Sequence, residues 1–173
     1  HTAANELQAR TEAYHARIAV RQRQKLVIAI FCDEYGQTWW PAWGPSSLAT
    51  NGLGGSEEAV VFVARELVKL GHAVEVYNEC SDDDLGLDAY GIRWLRHATY
   101  QDEHPPDVFV AWRYHVSTAV VVPSNVKVYA WLHGLPGYNS WTPTFCDGLT
   151  GIFTLSQFHT RSLPTHAQSK AYE

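Results

Sequence analysis

The sequence predicts an α/β protein with a doubly wound, mainly parallel sheet and helices on both faces. Three observations lead to this prediction. Residues 26–32 form a continuous apolar run of strand length, residues 56–70 carry apolar side chains at helical spacing, and short apolar runs recur along the remaining chain. Strands that alternate with crossovers in this way are typical of parallel sheets covered on both sides.

Length and composition indicate one domain that binds small molecules. The chain has 173 residues, 46% hydrophobic and 18% charged, which is enough for one packed core but not for two comfortable ones. A net charge of -5 disfavours the broad basic face on which nucleic-acid binding depends. We therefore expect small-molecule partners and no nucleic acid.

The N-terminal segment, residues 1–24, predicts a basic amphipathic helix. It lacks Gly and Pro and places Leu7, Tyr14 and Ile18 at near-helical spacing. Together with Lys25 it carries a charge of +3, against -8 for the rest of the chain. Such a helix could contact a membrane surface or a neighbouring domain. The favoured alternative is a helix that packs on the body with a solvated basic face, because the apolar stripe is thin.

The cysteines predict free thiols and a cytoplasmic location. Cys32, Cys80 and Cys146 are widely spaced and form no Cys-x-x-Cys pair. This spacing indicates neither a disulfide framework nor a zinc ribbon.

The order of elements places the candidate site at the strand ends. The helix over residues 56–70 has Ser56 as its predicted N-cap, Glu57 and Glu58 in its first turn, and Gly71 beyond its end. Residues 33–55 predict a long irregular loop, whose length indicates a function. Further strands are predicted at residues 72–77, 91–96, 107–112, 127–132 and 151–155. In a doubly wound sheet, ligands bind beyond the carboxyl ends of the strands.

A glycine-rich run, NGLGGSEE at residues 51–58, leads directly into this helix. Glycines permit close backbone approach, and the unpaired N–H groups and dipole of a helix N-terminus favour a phosphate. We therefore predict that Gly54, Gly55 and Ser56 bind a diphosphate, the alternative being a tight turn without a ligand. A dinucleotide fingerprint would follow the first strand directly, and a P-loop would contain Gly-Lys-Ser/Thr, so both are disfavoured.

Three segments carry a resemblance to a known family. The first is GGSEEA at residues 54–59 with AREL, LGH and VEV at residues 64–67, 70–72 and 74–76; VYAWLHG at residues 128–134 and GIFTLSQFH at residues 151–159 follow in order. They resemble the retaining, nucleotide-sugar-dependent glycosyltransferases of GT-B fold, in the glycogen-synthase-like superfamily. The resemblance covers roughly residues 25–165.

The resemblance implies a fold, a reaction and partners. Family members have two Rossmann-like domains, so residues 25–173 would be the N-terminal, acceptor-side domain, and the donor-binding domain with its Glu-x7-Glu motif would lie outside this sequence. The implied activity is sugar transfer, with retention, from a nucleotide-diphosphate sugar to a saccharide or other hydroxyl acceptor, without a metal or other cofactor. Whether the chain is active alone stays open. A non-catalytic carbohydrate- or partner-binding module is the alternative, and an NAD-dependent oxidoreductase is disfavoured by the displaced glycines.

Three residues at strand ends are further candidates. The resemblance implies roles for His133 and Ser156, whereas Arg113 is a candidate because it follows a predicted strand. His133 would contact the donor sugar or help to stabilise the transition state, the alternative being a hydrogen-bonded turn residue. Arg113 could bind a phosphate or an acceptor carboxylate bidentately, or form a surface ion pair. Ser156 is expected first to cap a helix, with a place at the cleft as the second possibility.

Aromatic side chains crowd the two loops nearest these residues. Trp39 and Trp40 lie in the first loop, and Tyr138 and Trp141 follow His133. Flat aromatic faces stack well on sugar rings, so these four side chains predict an acceptor platform. Packing of the loops on the sheet explains them equally well.

Overall fold

An eight-stranded sheet forms the centre of the protein. The computed structural model describes residues 8, 25–32, 42–50, 52–100, 104–113, 122–136 and 141–173. The strands are β1 Val27–Phe31, β2 Ala73–Asn78, β3 Gly86–Leu87, β4 Ile92–Arg96, β5 Val108–Trp112, β6 Lys127–Trp131, β7 Gly151–Phe153 and β8 Ala171–Tyr172. Their order is β3-β4-β2-β1-β5-β6-β7-β8, and all pairings are parallel except that of β3 with β4. The predicted α/β class with a mainly parallel sheet is confirmed.

The chain winds in two directions from the central strand β1. Strands β2 and β4 are added on one side, and β5 to β8 are added in succession on the other. The reversal between β1 and β5 is compatible with a Rossmann-like fold and creates a crevice at the carboxyl ends of these two strands.

Helices cover both faces of the sheet. The helices are α1 Ser47–Thr50, α2 Gly55–Lys69, α3 Pro143–Asp147, α4 Gln157–Ser162 and α5 Thr165–Gln168, with single 3-10 turns at Asp82–Asp84 and His97–Thr99. On one face, α2 buries Val60, Val61 and Ala64 against β1, β2 and β4. On the other face, Cys146 of α3 and Ala167 of α5 pack on β6 and β7. Burial of both faces of β1 and β5 explains why these two central strands are continuous apolar runs.

The second half of the β1–α2 loop is attached to the sheet by buried polar groups. The buried carboxylate of Asp84 accepts hydrogen bonds from the Ser46 N–H at 3.0 Å, the Ser46 hydroxyl at 2.8 Å and the Ser81 hydroxyl at 3.0 Å. Asn78 at the end of β2 donates to the Trp43 carbonyl at 2.8 Å. The loop segment 42–50 is thereby held over the carboxyl end of β2.

Some elements were missed by the sequence analysis or lie outside the described residues. Strands β3 and β8 have two residues each, and α1 has four, so none is long enough to show a period. The predicted helix over residues 1–24 falls outside the described residues apart from Gln8.

Within the described ranges, no helix has the length and apolar character needed to cross a membrane. All three cysteines are free and buried, as predicted.

Candidate functional site

Arg113, His133 and the glycine-rich turn, three parts of the predicted site, lie at the carboxyl edge of the sheet, near the crevice between β1 and β5. Arg113 directly follows β5, His133 follows β6 by two residues, and the N-terminus of α2 reaches the same edge through the β1–α2 loop. The Arg113 guanidinium contacts Glu57 in the first turn of α2, and its charge also acts on His133. Arg113 therefore links the glycine-rich turn to the histidine.

The N-cap of α2 lies two residues earlier than predicted. Gly54 is the N-cap, in an extended conformation with φ -66° and ψ 152°, and the Glu58 N–H donates to the Gly54 carbonyl at 2.9 Å. The prediction of Ser56 as N-cap is wrong, because Ser56 already lies within the first turn. Gly54 offers no side chain for capping.

Glu57 reaches back from the third helical position toward Gly54. Its carboxylate lies so close to Gly54 that a Cβ added there would collide with Oε2. A Glu at this position that folds back over the N-cap is the acidic half of a capping box. The Glu57 side chain is only 5% exposed, and its Oε1 lies 3.3 Å from Nη1 of Arg113. The sequence analysis placed Glu57 in the first turn but missed this pair.

Arg113 is held by its backbone as well as by Glu57. Its φ of 66° lies in the left-handed region, and it is the one non-glycine residue of the described segments with a positive φ. Its N–H donates to the Trp131 carbonyl at 2.7 Å, and its guanidinium lies over the Trp112 ring at 5.2 Å. Arg113 thus forms an ion pair, which is one of the two alternatives predicted for it. The pair is not a surface ion pair as predicted, because the Glu57 side chain is almost fully buried.

His133 carries a neutral imidazole in an aromatic setting. Its ring lies 4.7 Å from the ring of Trp131 and 5.9 Å from that of Trp112. Burial, together with the positive charge of Arg113 and the nearby His159, lowers the pKa of His133 from 6.5 to about 4. The imidazole is therefore uncharged at pH 7.

Two buried ring nitrogens at this edge lack hydrogen-bond partners among the described residues. They are Nε2 of His133 and Nε1 of Trp112. Buried polar atoms in folded proteins are nearly always paired, with protein, water or ligand. For His133 Nε2, a water or a ligand that reaches this buried atom would supply the missing hydrogen bond.

His159 fixes the backbone beside His133, a role that the sequence analysis missed. Its buried ring accepts from the Leu155 N–H through Nδ1 at 3.3 Å and contacts the Gly134 carbonyl through Nε2 at 2.8 Å. Both ring nitrogens of His159 are therefore engaged with backbone groups. Ser156 caps α4, as predicted, by accepting from the His159 N–H at 3.2 Å.

Of the four aromatic residues predicted to form a sugar-binding platform, one, Trp141, lies within the described residues. Trp39, Trp40 and Tyr138 lie outside the described residues. Trp141 is 4% exposed, stacks edge to face on Phe145 at 5.4 Å and belongs to the core under α3. For Trp141 the structure favours the packing alternative over a sugar-binding surface.

An apolar cavity of about 490 Å³ lies beside α2, on the face of the sheet that α2 partly covers. Aliphatic residues of β1, β5 and α2 line it together with aromatic residues of β6, β7 and β8. None of the predicted site residues belongs to its lining. Across the described parts of the chain, no group of three or more His, Cys, Asp or Glu side chains could hold a metal ion.

The fold and this edge define a doubly wound α/β domain with a largely buried ion pair and a neutral histidine at the strand ends where such domains bind ligands. No protein-family model, curated protein or solved structure matches the chain. The functional assignment therefore depends on the chemistry of the residues at the edge.

Proposed function

We propose that this chain is the acceptor-side, Rossmann-like half of a GT-B retaining glycosyltransferase that uses a nucleotide-diphosphate sugar. The observation that carries the proposal is the neutral imidazole of His133, whose Nε2 has no hydrogen-bond partner among the described residues, at the same sheet edge as the N-terminus of α2 and Arg113. An anion-binding helix end and an uncharged hydrogen-bonding group suit the two parts of such a donor, its diphosphate and its sugar. A second Rossmann-like domain would close the cleft.

In the proposed site each residue acts on a different part of the donor. The first N–H groups of α2, from Gly54 to Ser56, would bind the diphosphate and stabilise the charge that grows as it departs. His133 would donate to, or accept from, a sugar hydroxyl, because a neutral imidazole can do either. No protein nucleophile is assigned. The resemblance implies a front-face reaction assisted by the donor phosphate, and the acceptor would be a saccharide or another hydroxyl compound.

A non-catalytic carbohydrate- or partner-binding module is the second candidate. It is favoured by one observation, that the carboxylate of Glu57 already lies at the N-terminus of α2. A permanently occupied helix end would leave no place for a phosphate. The experiment below separates the two candidates.

Gly55→Trp is expected to abolish donor binding without unfolding the protein. A Cβ at Gly55 meets no atom within 4 Å in the described structure, so an indole would extend into open space before the helix end. There it would exclude a phosphate from the N–H groups. Isothermal titration calorimetry with a panel of nucleotide-diphosphate sugars measures the dissociation constant of each donor.

Glu58→Trp is the matched control, because Glu58 is an exposed residue of the same helical turn. It should bind donors like the wild type. Equal donor affinity in Gly55→Trp and Glu58→Trp would refute the phosphate site and leave the binding-module alternative.

A further inference from the structure

The cavity beside α2 lies over half of one sheet face. Ile28 and Ile30 of β1 line it and also belong to the core that α2 buries, so the cavity opens on the α2 side of the sheet. Toward the β8 edge its floor is an aromatic row, in which Tyr129 stacks on Phe153 at 5.1 Å and Phe153 contacts Tyr172 at 6.1 Å. Phe153 is 37% exposed and Tyr172 is 54% exposed. Mainly parallel sheets are normally covered on both faces, so this half of the face lacks a cover among the described residues.

The connections between the strands do not supply this cover. Right-handed crossovers that advance in opposite directions along a parallel sheet lie on opposite faces. The connection from β1 to β2, which contains α2, advances one way, and the successive connections from β5 to β8 advance the other way. Accordingly, Cys146 of α3 and Ala167 of α5 pack on the face away from α2. A segment outside these connections is therefore needed to cover the cavity.

Residues 1–24 have the position and the length to cover it. The segment leads directly into β1, whose Ile28 and Ile30 line the cavity. Gln8, the residue of this segment that the structure describes, is helical and exposed. A helix of 24 residues is about 36 Å long, whereas the four strand spacings from β1 to β8 measure about 19 Å. One helix can thus cross the whole cavity.

The composition of the segment also suits the cavity. In a helix, Leu7, Tyr14 and Ile18 fall on one side, and Val20 falls on nearly the opposite side. The segment and Lys25 together carry a charge of +3 against -8 for the rest of the chain, and the carboxylate-bearing Glu173 lines the cavity. Attraction between the basic segment and the acidic body favours docking with the apolar side inward.

We propose that residues 1–24 form a helix that lies across the cavity beside α2, with Leu7, Tyr14 and Ile18 against the aromatic row. The occupant is the chain's own N-terminal segment, and its basic residues remain in solvent. This inference is independent of the proposed sugar transfer, because it concerns the sheet face beside α2 and not the carboxyl edge.

Nuclear Overhauser effects in the isotope-labelled 173-residue chain test this contact directly. Cross-peaks are expected between the methyl groups of Leu7 or Ile18 and the rings of the aromatic row, in a protein that sediments as a monomer. In Ile18→Gln a polar amide would face the apolar cavity without a partner, so the ring signals should shift and the Leu7 cross-peaks should lose intensity.

Val20→Gln is the matched control. It makes the same kind of change, from a branched apolar side chain to an amide, on the other side of the same helix. The ring signals of the aromatic row and the Leu7 cross-peaks should both stay as in the wild type.

The outcomes that would overturn the proposal identify other occupants. Absence of the cross-peaks in the wild type would overturn it, and co-sedimentation of that protein with vesicles of equal parts phosphatidylcholine and phosphatidylserine would then assign the segment to a membrane surface. Cross-peaks that arise only between differently labelled chains would assign the cavity to a second copy. Equal shifts of the ring signals in Ile18→Gln and Val20→Gln would show that the stripe has no specific contact with the cavity.

Discussion

Under the proposed glycosyltransferase function, His133→Ala is expected to lower the rate of sugar transfer about 100-fold, the loss typical when a positioned catalytic hydrogen-bonding group is removed. The reason is the position of its neutral imidazole, whose buried Nε2 lacks a partner among the described residues. Alanine would leave a gap between Trp112 and Trp131 and no group to contact the donor sugar. Initial-rate measurements with the preferred donor, at saturating acceptor, give the effect on kcat and KM separately.

His104→Ala is the matched control, since His104 is an exposed loop residue of the same type. It should transfer sugar at the wild-type rate. His133→Gln, which keeps a side-chain donor and acceptor, should recover part of the loss. If His133→Ala and His104→Ala turn over equally, His133 is a turn residue and has no part in the reaction.

Trp94→Ala is expected to cost about 3–5 kcal/mol of unfolding free energy, the usual range when a buried tryptophan is truncated. Trp94 on β4 is fully buried, packs edge to face on Trp43 at 6.2 Å and donates from Nε1 to the Asp88 carboxylate at 3.0 Å. Trp43 in turn contacts Trp112 at 5.6 Å. Removal of the ring would leave a cavity under the loop segment 42–50. Urea unfolding followed by far-ultraviolet circular dichroism measures the change.

Two further variants test whether the loss of unfolding free energy in Trp94→Ala comes from the buried ring. Trp94→Phe keeps an aromatic ring but no N–H donor, so it should cost less than Trp94→Ala. Leu87→Ala on β3 removes a side chain that is 73% exposed and should change stability little. An unfolding free energy for Trp94→Ala within about 1 kcal/mol of the wild type would show that the contact of Trp94 with Trp43 does not support the fold.

The architecture was predictable because its signals are local. The apolar run at residues 26–32 indicates a strand by its length and composition, and the apolar residues at 56–70 indicate a helix by their spacing; both elements are present. The strand order was not predictable in detail. The pairing of β1 with both β2 and β5 depends on contacts between residues far apart in the chain, such as Ile28 with Val108. Periodicity carries no information on such contacts.

The site was predictable in part, for the same reason. Gly54, Gly55, Arg113 and His133 were found because each follows a strand or opens a helix, and such positions meet at one edge of a parallel sheet. The Glu57–Arg113 pair joins residues 56 positions apart, so spacing alone could not show it. One available signal was the acidic residue three positions after Gly54, which is the place of the acid in a capping box. That signal would also have placed the N-cap at Gly54 instead of Ser56.

The most direct measurement is chemical-shift mapping of the isotope-labelled chain titrated with nucleotide-diphosphate sugars. If the glycine turn and the histidine belong to one ligand site, the amide signals of Gly54, Gly55 and Ser56 and the ring signals of His133 will shift together, with one dissociation constant. Shifts confined to the apolar cavity beside α2, or to only one of these two groups, would contradict a shared donor site.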